Sequence, residues 1–252
     1  MRNICLMLLS LFASIGVLAD EAEDQRKIYL YLEGRSIFQG QCSPCHGRLG
    51  KGDGEWAKDW TQNRPRNFRA GIFKFRTTPM GKLPTDEDLR RTISSGISGT
   101  AMPTFKGHLR DSQYEAVIEY LKHLSKRWKD PANVAPAVKI PATPGWMKSF
   151  EKSKSHHAKG RALFTTHCAS CHGPTGKGDG EAGKILMDVW GFPIAPANLT
   201  QKHFKSGDRR EDLFRTISMG LDGTPMVGFK PALADQQIWE LVSYLNSIKA
   251  EK

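Results

Sequence analysis

Two short segments of the chain carry cysteine and histidine at the same close spacing. They read Cys42-Ser43-Pro44-Cys45-His46 and Cys168-Ala169-Ser170-Cys171-His172. On a helix, residues three and four apart share one face, so the cysteines and the histidine of each segment point the same way. The spacing C-x-x-C-H is the attachment signature of a c-type haem, held by two thioethers and an imidazole on the iron. Half a zinc site or a redox dithiol is the alternative for one segment, and two complete copies favour haem.

The sixth ligand of each iron decides what such a haem can do, because an iron held by histidine alone keeps one free face. Met102 and Met226 are equivalent in the two halves, each after a Gly-Thr loop and 56 or 54 residues beyond its haem histidine. We therefore predict that His46 and Met102 ligate one iron and that His172 and Met226 ligate the other. The alternative is a core role, since flexible thioethers fill irregular gaps.

Composition bounds the class of protein. A chain of 252 residues has room for two ordinary domains. Four of the five cysteines lie in the two motifs and Cys5 lies near the N-terminus, so none remains for a structural disulfide, a zinc cage or a thiolate nucleophile. The formal charge of +11 favours attraction to an acidic partner. Lysine and arginine form no dense run, so nucleic acid is not expected as a partner.

Residues 1–19 have the composition of a secretory signal peptide. Arg2 precedes an apolar stretch at 4–18, and a strongly polar segment follows Ala19. The apolar stretch is shorter than the roughly 20 residues that span a bilayer, which argues against a retained anchor. We expect cleavage near Ala19, export to the periplasm, and a mature chain of charge +10 without a transmembrane segment, since Arg2 is the only charge in the leader.

The chain contains one sequence unit twice. Segments around the first motif recur 126 residues later, and segments nearer the methionine recur 124 residues later. The first group comprises 34–38, 42–46 and 50–55, and the second comprises 91–94, 99–102 and 120–121. The change of offset indicates that the loops between motif and methionine differ in length. The glycine-rich segment 50–54 lacks the hydroxyl residue of a P-loop and the acidic ladder of an EF-hand, so we expect a tight turn beside the porphyrin edge.

The elements that position these residues are predicted to be helices. Apolar residues recur with helical spacing over 114–124 and 238–248, behind N-caps expected at Asp111 and Asp235. Another helix is expected after Thr85, with acidic residues in its first turn. No segment alternates enough to predict a strand.

Prolines are concentrated between the two halves, where they block helix and favour extended chain. They are Pro131, Pro136, Pro141 and Pro144. Trp146 and Phe150 are candidates for docking this linker onto the domains. The predicted architecture is all-α, with a domain at 20–130, a proline-rich linker at 131–155 and a second domain at 156–252.

Over roughly residues 28–128 and 158–252, the chain resembles the class I c-type cytochromes, twice over. In that family the N-terminal helix carries a glycine and, four residues on, an aromatic, and it crosses the C-terminal helix at an aromatic. Matching residues are Gly34, Phe38 and Tyr120 in the first half and Gly160, Phe164 and Tyr244 in the second. A Pro-Asn-Leu-like stretch in the family orients the proximal histidine through a backbone carbonyl, and 65–68 and 196–199 are similar. The organisation resembles tandem dihaem members such as cytochrome c4, with a longer linker and longer loops.

The sequence thus predicts a periplasmic dihaem electron carrier with two haem c groups and no catalytic residues. Cys42, Cys45, Cys168 and Cys171 would hold the haems covalently. One alternative is a dihaem enzyme of peroxidase or sulfur-oxidising type, which needs an open coordination site on one haem. The other is a fixed cytochrome subunit of a larger respiratory complex.

The expected partners are redox proteins with an acidic docking face. A membrane oxidoreductase complex, a periplasmic reductase or dehydrogenase, and a terminal oxidase are all compatible. Basic residues close in sequence to the haem motifs or the methionine loops would orient the encounter. They are Arg48, Lys51, Lys106, Lys177 and Lys230. Solubilising charges with no preferred partner are the alternative.

Overall fold

The computed structural model describes residues 21–249, apart from the side chains at 150–153. The predicted signal peptide lies outside the described residues. Within them, helices and loops make up two domains, and the prediction of an all-α tandem fold is confirmed. Extended pairing in this part of the chain is limited to an isolated antiparallel bridge between Met187 and Pro193.

Each domain is built from the same helices in the same order. In the first domain α1 covers 21–37, continues through a π-helical turn, Phe38–Cys42, and is followed by α2 (Ser43–His46), α3 (Asp86–Ser95) and α4 (Asp111–Leu124). In the second they are α5 (Phe150–His167), α6 (Ala169–His172), α7 (Arg210–Met219) and α8 (Asp235–Ile248). Short 3-10 turns lie at Glu55–Ala57, Phe68–Ala70, Lys126–Lys129, Pro131–Asn133, Gly145–Lys148 and Glu181–Ile185.

The start of α3 agrees with prediction, while the starts of α4 and α8 differ by one residue. The Thr85 hydroxyl accepts a hydrogen bond from the Asp88 backbone N–H at 3.2 Å, and the Asp88 carboxylate accepts one from the Thr85 N–H at 3.1 Å. The expectation of N-caps at Asp111 and Asp235 is wrong. Those aspartates are the first helical residues, where their negative charge favours the positive end of the helix. Glutamine side chains two residues later cap the preceding backbone N–H instead.

The first and last helices of each domain cross at a glycine. A methyl group on Gly34 would overlap the backbone carbonyl oxygen of Ala116, and one on Gly160 would overlap that of Glu240. The missing side chain therefore allows α1 to touch the backbone of α4, and α5 that of α8. The flanking aromatic pairs are Phe38 with Tyr120 and Phe164 with Tyr244, at ring-centroid distances of 5.1 and 5.3 Å.

The segment between the domains is docked along both of them. The Val138 N–H donates to the Thr77 carbonyl at 2.8 Å in the first domain. Met147 is buried in the core of the second domain, and Trp146 packs against the same core. Helix α5 already begins at Phe150, so the last six residues of the predicted linker are helical.

Loops of unequal length bring the two domains together. The stretch from Asn67 to Arg91 is seven residues longer than its counterpart in the second half, and that from Glu181 to Pro196 is five residues longer than its counterpart in the first. The first of these loops carries Arg76, which is buried against the second domain. The second loop carries two aromatic rings that lie under arginines of the first domain. Each domain thus contacts the other through a loop that is longer than its counterpart.

Candidate haem sites

The first domain brings its four predicted haem residues to one cavity. Cys42, Cys45, His46 and Met102 all line a cavity of about 210 Å³. Most of the other lining side chains are apolar, and those that lie on helices come from α1, α3 and α4; they include Ile37, Phe38, Phe68, Phe73, Leu89, Ile93, Val117 and Leu121. An apolar slot that presents two thiols, an imidazole and a thioether fits the flat, apolar body of a haem.

Each motif histidine is held by a hydrogen bond between its Nδ1 and a backbone carbonyl. His46 Nδ1 lies 3.1 Å from the Arg66 carbonyl oxygen, and His172 Nδ1 lies 3.0 Å from that of Ala197. A carbonyl only accepts, so Nδ1 carries the proton and Nε2 keeps its lone pair for a metal. Burial lowers the pKa of both histidines, which favours the neutral, ligating form. In each half the carbonyl belongs to the residue after the proline, a choice that the sequence left open.

The four motif cysteines are partly buried, and the first cysteine of each motif is a poor redox thiol. Burial, followed by the neighbouring Cys45, raises the pKa of Cys42 to about 12. In the second domain burial and Cys171 raise the pKa of Cys168 to about 11. A redox dithiol needs the opposite shift, because the thiolate is the reactive form. The dithiol interpretation of the motifs therefore fits this environment badly, while thioether attachment does not need a thiolate at rest.

The glycine-rich loop covers the end of the motif helix. The Gly52 N–H donates to the His46 carbonyl at 2.8 Å, and the Gly178 N–H makes the same bond to His172 at 2.8 Å. Gly52 has φ 76°, in the left-handed region that favours glycine, and a side chain there would meet the Pro65 carbonyl. The loop thus ties the haem motif to the stretch whose carbonyl orients the histidine.

The two methionines sit in loops of matching geometry. The Met102 N–H donates to the Thr100 hydroxyl at 3.2 Å, and the Met226 N–H donates to that of Thr224 at 3.2 Å. Each methionine carbonyl also accepts a backbone N–H from the start of its loop, at 3.2 and 2.9 Å. The two loops therefore present methionine in the same way, although they differ in sequence around it.

Four basic residues beside the first cavity were missed by sequence reasoning. Arg64, Arg66, Lys74 and Lys205 all line it, and Lys205 comes from the second domain. Burial lowers the pKa of Arg66 to about 10, with acidic groups of the second domain acting against that shift. A signal was present in the sequence, since Phe-Lys occurs at 73–74 and again 131 residues later.

The second domain also touches the first through aromatic rings that were not predicted to matter. The Arg66 guanidinium lies 4.8 Å from the ring centre of Trp190, and the Arg64 guanidinium lies 4.3 Å from that of Phe192. Since the Arg66 carbonyl holds His46, one residue joins the first haem motif to the second domain.

Most of the predicted docking residues are exposed. Arg48, Lys51, Lys106 and Lys177 are solvent-exposed. Lys230 is half-buried and forms an ion pair with Asp235 at the start of α8, which ties up its charge locally. In residues 21–249, no group of three or more His, Cys, Asp or Glu side chains is arranged to hold a metal ion.

No helix in the described part of the chain has both the length and the apolar character needed to cross a membrane.

Two family models match the chain, one in each half. Residues 157–249 match the model described as cytochrome c, and residues 30–121 match the model described as cytochrome c oxidase, cbb3-type, subunit III. Together they cover both domains.

Curated relatives are similar across both halves. The cbb3-type cytochrome c oxidase subunit CcoP of Azospirillum sp. (strain B510) is 28% identical over 87% of this chain and 62% of its own length. The cbb3-type cytochrome c oxidase subunit FixP of Bradyrhizobium diazoefficiens is 26% identical over 95% of this chain and 69% of its own length. A thiosulfate dehydrogenase of Psychrobacter arcticus is 25% identical over 85% of this chain and 58% of its own length. The chain thus spans 62% of the length of the first curated relatives.

A solved structure matches nearly end to end. It is a chain of the Kuenenia stuttgartiensis reducing HAO-like protein complex Kustc0457/Kustc0458, 34% identical, with a TM-score of 0.79 over 86% of this chain and 96% of that one.

Proposed function

We propose that this chain, which belongs to the c-type cytochromes as a tandem dihaem class I member, carries electrons between redox proteins of the periplasm. Its two cytochrome c domains each bind one haem c covalently. The observation that carries the proposal is the meeting of Cys42, Cys45, His46 and Met102 in one apolar cavity, with matching loops in the second domain. Two irons that each have a full set of protein ligands suit electron transfer rather than substrate binding.

The residues around each iron have separable tasks. Cys42, Cys45, Cys168 and Cys171 form the thioethers, and His46, Met102, His172 and Met226 are the axial ligands in this proposal. Bound haem supplies one-electron chemistry. The carbonyls of Arg66 and Ala197 orient the imidazoles and raise their basicity. The methionine sulfur is a soft donor that favours ferrous iron, and the apolar lining keeps water away.

A fixed place in a larger complex is the second candidate. It is supported by the printed names of the relatives, which describe oxidase subunits and a protein complex. In either case the partner would present an acidic face to the exposed basic residues near the motifs, because opposite charges steer the encounter. Periplasmic location rests on the predicted leader at residues 1–19.

An enzyme is the third candidate, motivated by the similarity to a thiosulfate dehydrogenase. Such chemistry needs a coordination position that opens on one iron. The matched histidine bonds and matched methionine loops of the two halves support equal ligation instead.

Replacing the two loop methionines separately tests the proposal. The oxidised protein should be low-spin at both haems, with a weak sulfur-to-iron charge-transfer band in the far red. Met102→Ala and Met226→Ala should each remove about half of that band and open one reduced iron to carbon monoxide. Met80→Ala and Met187→Ala are matched controls, since both methionines are exposed and lie outside the loops. Carbon monoxide binding by the unaltered protein would contradict the carrier function. Band loss in a control variant would contradict ligation by Met102 and Met226.

A further inference from the structure

Lys205 belongs to the second domain but lies at the first haem cavity. It lines that cavity together with the first-domain residues Lys74 and Arg66. Its ammonium group donates a hydrogen bond to the Asn63 side-chain oxygen of the first domain. Asn63 has φ 52°, a left-handed conformation that asparagine tolerates better than most residues. The second-domain lysine is therefore held across the domain boundary, at the edge of the haem cavity of the first domain.

The cations around this cavity lack direct counter-ions. Among the ion pairs of the residues that the structure describes, none involves Arg64, Arg66, Lys74 or Lys205, although carboxylates pair with cations elsewhere in both domains. Burial lowers the pKa of Lys74 to about 8, and the charges of Arg66 and Lys205 act in the same direction, while the Asp188 carboxylate is the smallest influence and acts against them. Gathering positive charge at an apolar cavity is unfavourable unless an anion joins it. The arrangement therefore indicates an anionic ligand with more than one negative group.

A haem meets that requirement. It carries two carboxylates, on the edge away from the two vinyl groups that Cys42 and Cys45 would hold. The cysteines and the basic residues line the same cavity. We propose that Lys205 completes the first haem site from the second domain by pairing with a haem carboxylate. This pairing presupposes a haem held at His46 and Met102, as proposed above.

The repeat explains how two lysines came to meet there. Phe73-Lys74 and Phe204-Lys205 are 131 residues apart, the same offset as Pro65 and Pro196 beside the histidine carbonyls. Lys74 and Lys205 are thus equivalent residues of the two domains, and the positive charge of Lys205 contributes to lowering the pKa of Lys74 across the boundary. Because the first haem would then owe part of its electrostatic environment to the second domain, its reduction potential depends on how the domains are packed.

The test is the reduction potential of each haem in Lys205→Gln. Removing a positive charge beside the first haem favours its ferric form, so its midpoint should fall by the equivalent of about three- to tenfold in the reduction equilibrium, where tenfold is 59 mV for one electron. The two redox titrations are assigned with Met226→Ala, which alters the titration of the second haem. The titration that stays unaltered in that variant belongs to the first haem. Lys205→Arg should keep the native potential, and Asn63→Ala should lower it by less than Lys205→Gln. Lys202→Gln is the matched control, because Lys202 is exposed on the same loop and does not line the cavity.

Unchanged potentials in Lys205→Gln would overturn the pairing. An equal fall at both haems, or the same fall in Lys202→Gln, would also overturn it, because net charge alone would then explain the effect. Loss of the far-red band in Lys205→Gln would also overturn the pairing, because it would show that Lys205 is needed for methionine ligation and hence for the fold around the haem. Whether methionine ligates the irons at all is tested separately, by the far-red band in the spectrum of the unaltered protein.

Discussion

Arg76 of the first domain and Asp222 of the second form a two-pronged, buried ion pair. Arg76 Nε donates to Asp222 Oδ2 at 2.8 Å and Nη2 donates to Oδ1 at 2.6 Å. The Arg76 side chain is fully buried and that of Asp222 is 8% exposed. The Met219 carbonyl accepts from the same guanidinium at 3.2 Å, and the Gly81 N–H donates to the carboxylate. The guanidinium and the carboxylate are thus both hydrogen-bonded to further backbone groups as well as to each other. The pair therefore holds the two domains in one orientation.

Removing one partner of this pair should destabilise the protein strongly. Arg76→Gln and Asp222→Asn should each lower the free energy of unfolding by about 3–5 kcal/mol, because the remaining charge stays buried and unpaired. Guanidinium unfolding of the two single variants and the double variant measures the coupling. Arg26→Gln is the control, since Arg26 pairs with Glu115 at the surface and should cost at most about 1 kcal/mol. Simple additivity of the two single effects would contradict this assignment.

The crossing glycines should tolerate no side chain. Gly34→Ala and Gly160→Ala force a methyl group onto a facing backbone carbonyl, and backbone cannot move aside as a side chain can. Each should destabilise its own domain by about 1–3 kcal/mol or more. Thermal unfolding followed at the haem bands checks this. Gly40→Ala is the matched control, because a methyl group there would meet nothing within 4 Å; an equal loss in that variant would argue against the crossing.

Two equivalent carboxylates should give both domains the same response to acid. Burial alone would raise the pKa of Asp88 and Asp212, but hydrogen bonds, including those from Arg91 and Arg215, outweigh it and hold both pKa values below their usual range. A carboxyl with a lowered folded pKa stabilises the fold above its unfolded value of about 3.9 and loses that contribution as pH falls through the folded value.

The difference in stability between the unaltered protein and Asp88→Asn should therefore be largest near neutral pH and shrink below about pH 4. Asp212→Asn should behave alike. Thermal melts from pH 7 down to pH 3 provide the measurement. Asp86→Asn is the control on the same helix, since the Asp86 side chain is 64% exposed. A difference that grows on acidification would show the sign to be wrong.

Covalent attachment should fail one domain at a time. The unaltered protein should carry two haem additions in its intact mass. Cys45→Ser and Cys171→Ser should each weaken attachment in one domain and lower its helix content, because the haem supplies much of the apolar core of a small domain. Mass spectrometry and far-ultraviolet circular dichroism read both effects. Full double attachment in either variant would go against the roles assigned to these cysteines.

Electron transfer to the native partner should slow as salt is added. Screening shortens the reach of the positive field that would steer an acidic partner to the exposed Lys51 and Lys177. Neutralising both lysines should lower the rate at low salt and flatten its salt dependence. Lys230→Gln should change little, because Lys230 already pairs with Asp235. Stopped-flow rates decide, and a rate that is flat or rises with salt would mean that these charges do not steer the contact.

Much of each haem site could be predicted from the sequence because its chemistry is local. Cys42, Cys45 and His46 lie within one helical turn, so their spacing alone specifies a shared face. Met102 lies far along the chain, yet the repeat makes it the proposed ligand, since Met226 stands at nearly the same distance from its own histidine, and Met102 lines the first cavity. The prediction that the helices cross at Gly34 followed from the family resemblance, and the structure adds the carbonyl of Ala116 as the group that requires it.

The sequence by itself determined the all-α fold, its duplication and its two covalent haems, because helical periodicity and motif spacing are properties of neighbouring residues. Only the tertiary structure decided how the domains act on each other. Arg76 and Asp222 are 146 residues apart, and Lys205 reaches the first cavity across the domain boundary. The repeat aligns Lys205 with Lys74, but neither the repeat nor a periodic pattern shows that two residues of different domains touch, because that depends on how the folded domains pack. Such contacts form only where two folded surfaces meet. The charge of Arg76, for example, is neutralised by Asp222 of the other domain and, among the described residues, not by a group of its own domain.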